Sequence, residues 1–134
     1  MFDEKRIAQI VRDAAAEKWP YPKTFYALKE AGVSSYEVWI EDFRSVFKSA
    51  SQEWEGPIPI GFQPSEAASD FSQAAVQNAL KSHQRGETTY VEFLKKMTTA
   101  GVVSYKVDMP SCSLIYRGRN DADFYTENVP PYNM

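Results

Sequence analysis

One histidine and one cysteine set the limits on side-chain chemistry in this chain. His83 ends an apolar stripe, where a half-buried imidazole could carry a proton or bind a ligand at a seam between helix and sheet. Asp108 lies on a segment of strand periodicity. Within hydrogen-bond reach of each other, His83 would serve as acid or base and Asp108 would orient it. These two are the catalytic candidates. The plainer reading of His83 is a histidine near a helix C-terminus, where positive charge is favoured. Cys112 reads as a strand residue with Leu114 and Tyr116 on its face, hence as a buried inert thiol. A nucleophile would need a lowered pKa and an adjacent base.

A single His and a single Cys do not make a zinc site by themselves, so neither a metal nor a cofactor is expected. The sequence has no glycine-rich phosphate loop, no G-x-S-x-G and no H-E-x-x-H, the spacings that carry the common phosphate, acyl-transfer and zinc chemistries. The balance leans away from an enzyme.

The other chemistry-bearing set is a surface. Glu37, Trp39 and Glu41 alternate with Tyr36, Val38 and Ile40, while Lys106 and Asp108 alternate with Tyr105, Val107 and Met109. Where helices cover the apolar face, the other face carries a tryptophan flanked by charges, which suits a ligand pocket or a protein interface. Trp39, Glu37, Tyr105, Lys106 and Asp108 are the candidate ligand or partner residues. The carboxylates Glu37, Glu41, Asp42 and Asp108 could divide acid and base roles if their environments split their pKa values. Solvated strand-face carboxylates are the ordinary alternative.

These residues are positioned by a repeat. Ala31-Gly32-Val33-Ser34-Ser35-Tyr36-Glu37-Val38 recurs as Ala100-Gly101-Val102-Val103-Ser104-Tyr105-Lys106-Val107, 69 residues on. The same offset sets Phe2 on Phe71, Ile7 on Val76, Val11 on Leu80, Tyr21 on Tyr90, Leu28 on Met97 and Val46 on Ile115. Each copy opens with a helical stripe at i, i+3, i+4, i+7: Ile7, Ile10, Val11, Ala14, and then Val76, Ala79, Leu80, His83. A shorter helix follows, with Tyr21, Phe25, Leu28 in one copy and Tyr90, Leu94, Met97 in the other. Thr89 and Glu92 form a capping box, and Gly32 and Gly101 stop the two helices.

Hairpins come next, with second strands near 45–49 and 111–116 and a third strand near 124–129 in copy two alone. The stretch 51–64, rich in proline and glycine, reads as a connecting loop, and 129–134 as an extended, loosely held tail. A unit of this size would hardly hold itself together. The expectation is therefore one α+β domain over residues 1–134. Its two pseudo-repeats, about 2–50 and 71–129, share one core with the helices on one face of a mainly antiparallel sheet.

The composition is that of an ordinary globular chain: 134 residues, 43% hydrophobic, 14% aromatic. A net charge of −3 with scattered Lys and Arg argues against a general nucleic-acid binder. The one cysteine forbids an internal disulfide, and the N-terminus Met1-Phe2-Asp3-Glu4-Lys5-Arg6 lacks the apolar run of a signal peptide. No apolar run is long enough to span a bilayer. A cytoplasmic location is expected, with no membrane partner.

Three segments resemble a bacterial family. Leu80-Lys81-Ser82-His83-Gln84-Arg85-Gly86, then Thr88, Tyr90 and Phe93, is similar to its LKAHQxGxTxYxxF stretch. Val107-Asp108-Met109, then Cys112 and Tyr116, is similar to its VDMxxxxCxYY strand pair. Leu28-Lys29-Glu30-Ala31-Gly32-Val33 with Ser35-Tyr36-Glu37 is similar to its LKxxGVxSYE segment. The family is the domain of unknown function 1398, sometimes labelled phage envelope protein-like and often found in prophage regions. The resemblance implies no particular reaction, cofactor or catalytic residue.

The leading expectation is a non-enzymatic binding or accessory module of bacterial or prophage origin, acting on a protein or small ligand through the face around Trp39 and Asp108. The alternatives are a small enzyme with a His83/Asp108 acid–base site and a homo-oligomeric accessory protein joined through exposed strand edges.

Overall fold

A computed structural model describes residues 2–59 and 61–130. Four helices and six strands follow in the order α1 (Glu4–Glu17), α2 (Tyr21–Glu30), β1 (Ser35–Trp39), β2 (Arg44–Lys48), β3 (Glu53–Glu55), α3 (Gln73–Gln84), α4 (Tyr90–Thr99), β4 (Ser104–Asp108), β5 (Ser113–Arg117) and β6 (Phe124–Asn128). The strands form one antiparallel sheet in the order β3-β2-β1-β4-β5-β6. The fold is α+β, with the helices on one face of an open sheet.

Local chemistry explains the helix ends. The Asp3 carboxylate accepts from the Arg6 amide and Ser72 from the Ala75 amide, each taking up an orphan donor of a first turn. Thr89 and Glu92 close a reciprocal capping box, and this amide contact, with lesser help from Lys18 and Lys96, lowers the Glu92 carboxyl. Gly101 follows α4 at φ 91°, and a Cβ there would stand 2.6 Å from the Asp70 carbonyl oxygen. Only glycine lets the chain entering α3 pass so close.

Strand alternation sorts the sheet into two faces. Tyr36, Val38, Phe47, Tyr105, Val107, Leu114 and Tyr116 join Ile7, Phe25, Leu28, Val76, Leu94 and Met97 in a single buried cluster. Two tyrosine pairs cross this core: Tyr21 and Tyr36 share a hydroxyl hydrogen bond of 2.5 Å, and so do Tyr90 and Tyr105. The Tyr36 and Tyr105 rings meet edge to face at 6.4 Å. At the centre of the sheet Glu37 pairs with Lys106, two positions themselves 69 apart. A local twofold axis between them exchanges β1 and β4. The turns after these strands also match, with Phe43 at φ 51° and Cys112 at φ 52°.

Three expectations need correction. The first half has its own third strand, β3, inside the stretch read as a loop. Three residues are too short to show a period of two, and the strand is held by pairing with β2 and by Trp54 against Phe47, centroids 5.7 Å apart. Cys112 is not in a strand. It occupies the left-handed position of the β4–β5 turn and is half-buried, its thiol donating to the Met109 carbonyl. At the C-terminus Val129 is buried, and its amide donates to the Cys112 carbonyl at 2.8 Å. The tail is therefore anchored at its first residue, and 131–134 lie outside the described residues.

No helix among the described residues is long and apolar enough to cross a membrane.

Candidate functional site

The face of the sheet turned away from the helices can be read from the register as three rows. Glu53, Lys48, Ser35, Asp108, Ser113 and Asn128 form one. Glu55, Val46, Glu37, Lys106, Ile115 and Thr126 form the next. Arg44, Trp39, Ser104, Arg117 and Phe124 form the third. Glu37, Trp39, Lys106 and Asp108 thus share this face. Tyr105 does not: it is buried against the helices, because adjacent strand residues point to opposite sides.

Trp39 stands at one corner, half-buried, with the Arg44 guanidinium 5.3 Å from its ring centroid. Residues 39 and 44 are directly opposed in the β1–β2 hairpin, so the register itself sets the cation against the indole. Arg44 also pairs with Glu55 on β3 at 3.3 Å.

Beside this corner opens a cleft of about 810 Å³, bounded by Trp39, Asp42, Arg44, Pro64, Glu66 and Arg119 among others. Its far wall is the segment leading to α3. Glu41 holds that wall in place, its carboxylate accepting from the Ala67 amide at 2.7 Å and from the Arg119 guanidinium. Arg119 also reaches the Ala67 carbonyl and lies 3.8 Å from Glu66. Glu41 is therefore a clamp, and it sits with Asp42 in the turn after β1, not on a strand. Asp42 and Glu66 are exposed at the rim.

The two catalytic candidates have separate settings. His83 stacks on Phe93 at 4.6 Å, and its Nδ1 contacts the Thr88 hydroxyl and carbonyl at 2.9 and 3.1 Å. Burial lowers its pKa, partly opposed by the Thr88 carbonyl. Asp108 lies on the open face and accepts from the Ser111 amide at 3.0 Å and from the Ser111 hydroxyl at 2.5 Å. That contact closes the β4–β5 turn as an Asx-type cap. His83 lies in the last turn of α3 and Asp108 at the end of β4, and the two share no hydrogen-bond partner among the described contacts. Among the described residues no group of three His, Cys, Asp or Glu side chains gathers as a metal site.

Burial pushes the hydroxyls of Tyr21, Tyr36, Tyr90 and Tyr116 well above the ordinary phenol value, and Tyr105 up to about 12. Neutral phenols bonded to each other inside a core are structural, not poised for proton transfer. Burial also raises the Tyr26 hydroxyl, with the neighbouring Cys112 adding to the effect.

Arg44, Arg119 and the 64–66 wall were not legible as site residues. Arg44 had a local signal in the hairpin register. Arg119 had none, meeting Glu41 from 78 positions away.

The family model described as "Protein of unknown function (DUF1398)" matches residues 6–128. The chain belongs to this family. The match runs from within α1 to the end of β6. The chain is also similar to "Uncharacterized protein Mb2035" of Mycobacterium bovis (strain ATCC BAA-935 / AF2122/97), at 26% identity over 105 residues. "Uncharacterized protein MT2067" and "Uncharacterized protein Rv2012" of Mycobacterium tuberculosis match at the same 26%. In each case the match covers 78% of this chain and 63% of the relative, so the chain spans less than two thirds of these relatives' length.

Proposed function

We propose that this family member is a non-enzymatic binding module, with its ligand or partner surface at the Trp39 corner of the open sheet face. The observation that carries the reading is the half-buried indole beside an open cleft, with Arg44 over its ring. An aromatic wall, an exposed guanidinium and the rim carboxylates Asp42 and Glu66 suit a short peptide segment or a small zwitterion. Aromatic and arginine side chains also carry a disproportionate share of interface energy. Glu37, Lys106 and Asp108 would extend the contact along the same face.

Two broader points belong to the same reading. The halves, about 2–50 and 71–129, are taken as copies of one ancestral unit, supported by the shared offset of the tyrosine pairs and left-handed turns. A bacterial or prophage protein working in a reducing cytoplasm accords with its one unpaired cysteine.

The test is a thermal-shift screen of metabolites and short peptides on wild type, Trp39→Ala, Arg44→Ala and His83→Ala. A ligand at 100 times its dissociation constant stabilises by about 2.7 kcal/mol, a shift of roughly 10 °C for this chain length. A hit lost in the Trp39 and Arg44 variants and kept in His83→Ala bears the reading out. A hit lost only in His83→Ala overturns it, as does an empty screen joined to an empty pull-down with folded protein.

A further inference from the structure

The two edges of the sheet differ in chemistry. Each end strand presents unpaired backbone groups, which invite another strand unless something protects them. On β3 the protection is plain: three residues only, with the exposed carboxylates of Glu53 and Glu55. β6 has five residues and lacks such guards. Phe124, Thr126 and Asn128 carry no charge and are exposed, Phe124 at 50%.

The β5–β6 ladder shows which backbone groups of β6 are free. The Gly118 amide donates to Asp123 and the Val129 amide to Cys112, both at 2.8 Å, bracketing the strand pair. Bonded and non-bonded pairs alternate in an antiparallel ladder. Tyr125 and Glu127 therefore bond to Tyr116 and Leu114, while Phe124, Thr126 and Asn128 turn their N–H and C=O groups outward. Among the described residues no strand lies beyond β6.

We propose that β6 is a self-pairing edge: two copies of the chain join antiparallel through it, centred on Thr126, into one continuous twelve-stranded sheet (two copies of six). The strand is self-complementary in that register. Phe124 meets Asn128 of the partner subunit, Thr126 meets Thr126 of the partner subunit, and all three outward residues fall in bonded pairs. About six backbone hydrogen bonds form. On the helix side Tyr125 faces Glu127 of the partner subunit, so the two Glu127 carboxylates stay apart. Self-pairing of β3 would instead crowd four carboxylates together. A second copy fits this edge better than an arbitrary extended peptide because both side-chain pairing and charge separation come from the strand's own sequence. The inference rests on the outward backbone groups and side chains of β6, none of which lines the Trp39 cleft.

The edge is short, so the dimer is expected to be weak and concentration-dependent, and the measurement is light scattering after gel filtration across roughly 10 µM to 1 mM. The wild type is expected to move from the 15.3 kDa chain towards twice that mass. Thr126→Lys and Thr126→Asp each place like charges opposite one another and are expected to stay monomeric, with at least a tenfold loss in association. An equimolar mixture of the two is expected to recover the doubled mass, because each lysine then faces an aspartate. Circular dichroism confirms that both variants are folded. Thr126→Pro serves as a second block, since it removes an amide proton that β5 does not use. A wild type that is monomeric throughout overturns the proposal. So does a dimer indifferent to the single Thr126 variants, or a mixture that stays monomeric.

Discussion

The hydroxyls of Tyr90 and Tyr105 lie 2.5 Å apart, one from the first residue of α4 and the other from the second residue of β4. Each phenol supplies the other's hydrogen-bond partner, Tyr105 buried and Tyr90 partly buried against the core, and burial raises both pKa values. Tyr90→Phe or Tyr105→Phe alone leaves a buried hydroxyl without its partner, at a cost of about 1–3 kcal/mol. The double Phe variant removes both polar groups and is expected to cost less than the two singles added together. Urea unfolding of the four proteins gives the coupling directly.

The same tyrosines set an alkaline limit. Tyr105 ionises near 10 when unfolded and at about 12 when folded. Between those values the unfolded chain has lost a proton that the native chain retains, so stability falls as pH rises. It is fully present below pH 10. The loss through this window is about 3 kcal/mol for Tyr105. Denaturation followed from pH 8 to 12 should show the decline, together with delayed phenolate absorbance. Flat stability over that range would contradict the buried setting of the cluster.

His83 sets a milder limit on the acid side. Its folded pKa lies below the ordinary 6.5 because burial disfavours the imidazolium. As pH falls below 6.5 the unfolded chain takes up a proton before the native chain does, so stability declines through that window and is retained above it. An NMR titration of the His83 ring proton is expected to give a midpoint below 6.5. In His83→Ala, stability should lose that component of its pH dependence.

Glu41 and Arg119 are expected to be unequal partners. The Ala67 backbone is buried and its amide donates to Glu41, so Glu41→Ala strands a donor as well as breaking an ion pair. A cost of about 1–3 kcal/mol follows from that stranded group. Arg119 is 43% exposed, and its ion pair is screened by solvent, so Arg119→Ala is expected to cost under about 1 kcal/mol. Hydrogen exchange at Ala67 separates the two, with a large gain in exchange rate only in Glu41→Ala.

The sequence alone determined the helices, the Thr89–Glu92 capping box and the main strands, because each is written in a short-range period or a local bond. The stripes Ile7-Ile10 and Val76-Leu80, the box Thr89–Glu92 and the alternation Tyr36-Val38 and Tyr105-Val107 all needed only neighbours within a few residues. The same periods placed Trp39, Glu37, Lys106 and Asp108 on one face. Tertiary structure decided everything that depends on contacts between distant segments. It set β1 beside β4, so that the two halves form one sheet centred on Glu37 and Lys106. It made a strand of Glu53–Glu55, whose pairing partner β2 and packing partner Phe47 supply what three residues lack by themselves. It set His83 against Phe93 and Asp108 against Ser111, and it brought Arg119 to Glu41 to form the cleft beside Trp39. Periodicity fixes which way a side chain points. Only chain folding fixes what it meets there.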